Sequence, residues 1–140
     1  MKSISEAQDL VLKLIAASGQ WNSFDGVAIE GALRQNVALW RSAFFAREAA
    51  SPLQADSFGG GIDLIVLRDL PHNLVNLNTL FLLAEPGHQG ELEALANGWE
   101  ADEVNWIPQD KAFPLMGDSA AVNKDYMGDK NRVILRAWWD

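Results

Sequence analysis

Residues 62–84 read IDLIVLRDLPHNLVNLNTLFLLA, and the way the two apolar runs in this stretch are joined decides the fold. Ile62 to Leu67 and Thr79 to Ala84 are nearly continuous in Ile, Val, Leu and Phe and have strand length, the pattern of central strands covered on both faces. Only about ten residues, 69–78, connect them, whereas a parallel crossover needs a dozen or more. A hairpin-like antiparallel pair is therefore expected.

Upstream, Ser5 with Gln8 three residues on forms a capping-box pattern. Ala7, Leu10, Val11, Leu14 and Ile15 then follow the spacing of an amphipathic helix that Gly19 stops. After an aromatic loop with Trp21 and Phe24, apolar residues recur at Ile29, Leu33, Val37, Trp40 and Phe44 as far as Ser51 and Pro52. This spacing predicts one long helix or two short ones, with Gly31 and Asn36 as break points and Glu30–Arg34 as a supporting pair. Residues 56–61 form a turn-rich joint to the sheet. Downstream, Leu92, Leu95, Ala96 and Trp99 keep helical spacing from Glu91 until Asn97 and Gly98. Val104 to Ile107 is a candidate third strand, and Arg132 to Trp139 alternates Val133, Leu135, Ala137 and Trp139 on one side. Residues 108–131 read as loop. With no internal repeat, residues 1–140 form a single domain of the α+β class: N-terminal helices packed on a mixed sheet of about four strands with one crossover helix.

Composition narrows the function classes. The 140 residues are 49% hydrophobic and 21% charged, enough for one domain with its own core. A net charge of −8 argues against a general nucleic-acid or anionic-membrane binder, both of which reward clustered Lys and Arg. The absence of cysteine excludes disulfides, thiolate metal sites and a Cys nucleophile. Leu10 to Ala17 could pass for a leader, but Lys13 interrupts it, and Glu6 and Asp9 stand where positive charge belongs. The expectation is a mature cytoplasmic protein without a membrane span.

Few residues carry the marks of chemistry. Gly59 to Gly61 precede a strand where a phosphate cradle would follow one, so they read as a joint, and no nucleophile elbow, HExxH or EF-hand pattern is present. His72 and His88 each follow a proposed strand end, beside Asp69 and Glu85. On parallel strands these four would converge as donors for Zn²⁺ or a related ion, whereas the antiparallel pairing sends them to opposite ends of the sheet. No metal or cofactor is therefore expected, and a metal- or His-dependent enzyme stands third among the readings.

Six tryptophans are many for this length. Trp40 and Trp99 lie on apolar helical faces and read as core. Trp138 and Trp139 are adjacent in a strand, so one must leave the core face to pack on a helix, line a pocket or contact a partner. Trp106, Trp138 and Trp139 are accordingly the candidate lining of a site for a small cationic or aromatic ligand. The alternative use of the second face is a two-fold homodimer contact.

Charge placement carries the leading reading. Between Arg68 and Lys111 there is no Lys or Arg, while Asp69, Glu85, Glu91, Glu93, Glu100, Asp102, Glu103 and Asp110 account for the whole net charge of −8. A solvated face would explain this, and so would a docking surface for a basic protein partner. The expectation is that Glu91, Glu93, Glu100, Asp102 and Glu103 share one exposed face of a non-catalytic binding protein. Its type would be that of an inhibitor, antitoxin or immunity protein.

Overall fold

The computed structural model describes residues 3–46, 67–69, 74–75, 77–116 and 124–140. Helix α1 spans Glu6–Ala17, with Ser5 as its N-cap accepting from the Gln8 N–H at 3.1 Å. Gly19, at φ 69°, turns the chain into a two-residue hairpin, β1 (Gln20–Trp21) against β2 (Phe24–Asp25), with Asn22 left-handed at the turn. Asp25 caps helix α2 (Gly26–Gln35), which lies against α1. Gly26 lets the chain at the start of α2 approach α1 closely: a Cβ there would stand 2.1 Å from the Ile15 carbonyl oxygen. Arg34 of α2 reaches Asp9 of α1 at 2.8 Å, and Lys13 reaches the same carboxylate at 2.9 Å. These two cations, Lys13 foremost, hold the Asp9 carboxyl below the usual carboxylate range.

The apolar pattern after Asn36 was expected to remain helical, and here the structure corrects it. Asn36 ends α2, Val37–Leu39 make a single 3-10 turn, and Trp40–Ala46 form strand β3. Trp40, Ala43 and Phe45 are buried in this strand while Arg41 and Phe44 are exposed. Trp40, Phe44 and Phe45 suit a strand, and pairing with a neighbouring strand overrides a spacing that also fits a helix.

Strand β4 (Leu67–Asp69) pairs with β5 (Leu74–Val75), so the partner expected for Thr79–Ala84 is engaged elsewhere at its described end. Residues 62–66, the rest of that expected strand, and the glycines 59–61 lie outside the described residues. Strand β6 (Thr79–Ala84) pairs antiparallel with β3, and helix α3 (Gln89–Asn97) follows it, ended by Gly98 as expected. Strand β7 is Glu103–Ile107, helix α4 is Gln109–Met116, and β8 is Ile134–Trp138. Helix α4 corrects the expected loop. Pro108 stands just before its start, and the single Pro108 carbonyl accepts from the N–H groups of both Lys111 and Ala112.

The main sheet has the order β3-β6-β8-β7 and is antiparallel at every neighbouring pair. Strands β6 and β7 run parallel with β8 between them, and α3 is the crossover that joins them. The architecture is α+β with a four-stranded sheet and one crossover helix, as the sequence implied, but the sheet is antiparallel throughout where a mixed one was expected. One face packs Leu80, Leu82, Leu135, Ala137, Ala43 and Phe45 against Leu12, Ile15, Ile29, Leu33 and Leu92 of the helices, with Phe24 and Trp139 meeting edge to face at 4.9 Å. The other carries a smaller cluster of Ala112, Tyr126, Val133 and Ile134. No helix among the described residues is long and apolar enough to cross a membrane.

Candidate functional site

The five acids expected on one face divide between several places. Glu91 and Glu93 sit on α3: Glu91 meets His88 Nδ1 at 2.9 Å, and Glu93 accepts from the Trp106 indole N–H at 2.8 Å. Glu103 belongs to the opposite side of the sheet, because Val104 and Trp106 pack toward the helices and β7 alternates. There Glu103 stands 4.0 Å from Arg136, whose Nη1 donates to Asn105. Glu100 and Asp102 remain, exposed and joined by the turn that follows α3.

That turn is built into a corner by three long-range contacts. Ser23 at the tip of the β1–β2 hairpin donates its hydroxyl to the Glu100 carbonyl at 2.8 Å. Asn22 donates to the Asp140 carbonyl at 2.5 Å, and the Asp140 N–H donates to Asp102 Oδ2 at 2.7 Å. The corner thus gathers Asp25, Glu100, Asp102 and Asp140, of which Asp25 and Glu100 line one small cleft of about 180 Å³ with Ser23 and Trp99. Asp25 is already occupied by the Ala28 N–H and the Gln20 amide. Among the described residues no Lys or Arg forms an ion pair with any of the four. Glu100 also holds φ 56°, a left-handed conformation that Gly or Asn adopts at lower cost.

The three candidate tryptophans do not converge. Trp139 is fully buried, with its indole N–H on the Trp99 carbonyl at 3.3 Å. Trp106 also turns to the helix side, with the Arg132 guanidinium 5.9 Å from its ring centre. Trp138 faces the other way, beside the buried Arg136. The larger cleft, about 500 Å³, lies elsewhere, between the first turn of α1 and the start of β3, lined by Ile4, Val37, Trp40 and Ser42 among others. Its charged groups answer one another: Arg41 donates to both oxygens of Glu85 at 3.3 Å and to Asp125 at 2.6 Å, and lies over the Tyr126 ring at 5.9 Å.

Of the proposed metal set, Glu85 is engaged by Arg41 and His88 by Glu91, while His72 and the side chain of Asp69 lie outside the described residues. No group of three or more metal-ligating side chains occurs among the described residues. What sequence reasoning missed is the assembly of the corner from three distant segments. Asn22 and Ser23 between Trp21 and Phe24 are turn-forming residues, but nothing local points to Asp140. No protein-family model matches the chain, and comparisons with curated proteins and with solved structures returned no match.

Proposed function

We propose that the protein acts by binding, and that it presents the corner of Asp25, Glu100, Asp102 and Asp140 to a basic protein partner. The reading rests on Glu100. An exposed glutamate that keeps a left-handed backbone costs about 1 kcal/mol or more relative to glycine, and its carboxylate has no cation partner among the described residues. A carboxylate retained at such a cost fits a role outside the chain's own stability. The net charge of −8 adds a long-range negative field that favours the approach of a basic surface.

Titration of an oligolysine peptide into isotope-labelled protein tests this directly. Amide shifts should concentrate at residues 22–25, 99–103 and 140 and should shrink as salt shortens the Debye length. Shifts centred on α3 or spread evenly over the surface would overturn the reading. Glu100→Gly sharpens the test, since it should raise the melting temperature while weakening peptide binding. A small-molecule reading keeps one observation, the 500 Å³ cleft beside Trp40, whose size falls within the range of ligand sites. Peptide shifts mapping to Ile4, Val37 and Trp40 would favour it.

A further inference from the structure

We draw no further inference here: the strongest candidate, the stretch of β8 on the sheet face opposite α1 and α2 where the buried Arg136 guanidinium and the buried Trp138 indole N–H lie two residues apart, carries nothing because nothing among the described residues shows what covers it.

Discussion

Gln8 does the work of a strand residue from within a helix. Its Nε2 donates to the Ala43 carbonyl and its Oε1 accepts from the Ala43 N–H, both at 3.0 Å, so one side-chain amide satisfies both backbone groups of Ala43 in edge strand β3. The capping-box role read from Ser5 and Gln8 is thereby halved: Ser5 caps the helix, but the Gln8 side chain is spent on the sheet. It also shifts the helix phase. The core side of α1 carries Gln8, Leu12 and Ile15, whereas Leu10, expected inward, is 60% exposed. Replacing Gln8 with Leu leaves two partly buried backbone groups without their partners, and a loss of about 1–3 kcal/mol is expected by urea unfolding. A change within about 0.5 kcal/mol would show that water serves β3 equally well. At Gly26 two effects oppose each other. Helix propensity favours Ala by about 1 kcal/mol, but a Cβ 2.1 Å from the Ile15 carbonyl forces α1 and α2 apart. The clash is against backbone, so Gly26→Ala should destabilise by more than propensity returns, and a melting temperature at or above that of the parent would refute the close crossing.

Elements whose identity depends on local chemistry were readable, and those decided by distant pairing were not. Helix α3 and strands β6, β7 and β8 fall where periodicity and turn residues put them, and Asn36 is indeed a break point. Strand β3 was read as helix because its aromatic spacing fits both periods, and only the register with β6, from Trp40↔Ala84 to Ala46↔Thr79, resolves it. In the same way, the segment after α4 has no apolar rhythm, yet Tyr126 is 1% exposed and donates its hydroxyl to the carbonyl of Ala84, the last residue of β6. Burial pushes the Tyr126 phenol up to about 12, against the opposing pull of Arg41. Since the unfolded chain ionises this group near 10, stability should fall as pH rises from about 10 toward 12, while nothing is lost below that window. Tyr126→Phe should abolish this part of the alkaline decline and cost about 0.5–1.5 kcal/mol at neutral pH through the missing hydrogen bond. An unchanged alkaline profile in that variant would assign the decline to other groups.

Over the whole molecule, the acidic block of residues 69–110 does not become one acidic face. Folding sends Glu85 to Arg41, Glu93 to Trp106 and Glu103 toward Arg136, leaving the corner to be completed by Asp25 and Asp140 from the two ends of the sequence. A count along the chain finds the charge but not this assembly, because the hairpin tip and the last strand meet only in three dimensions. The last strand is therefore the member on which both core and corner depend. Strand β8 is paired on both edges within the chain, which removes the bare apolar edge its sequence threatened. Trp139 packs on Phe24 and donates its backbone N–H to Asn78, while the Trp138 carbonyl accepts from Asp102. Ending the chain after Arg136 removes both buried indoles, and at about 3–5 kcal/mol each this matches a whole domain's stability of about 5–15 kcal/mol. Circular dichroism should then show no cooperative melting, and retention of the parent transition would make β8 peripheral. Deleting Asp140 alone separates the two roles: both indoles remain, so the melt should shift little. The contacts of Asp140 to Asn22 and Asp102 are lost, so oligolysine binding should weaken. Binding at full strength in that variant would place the docking surface away from the corner.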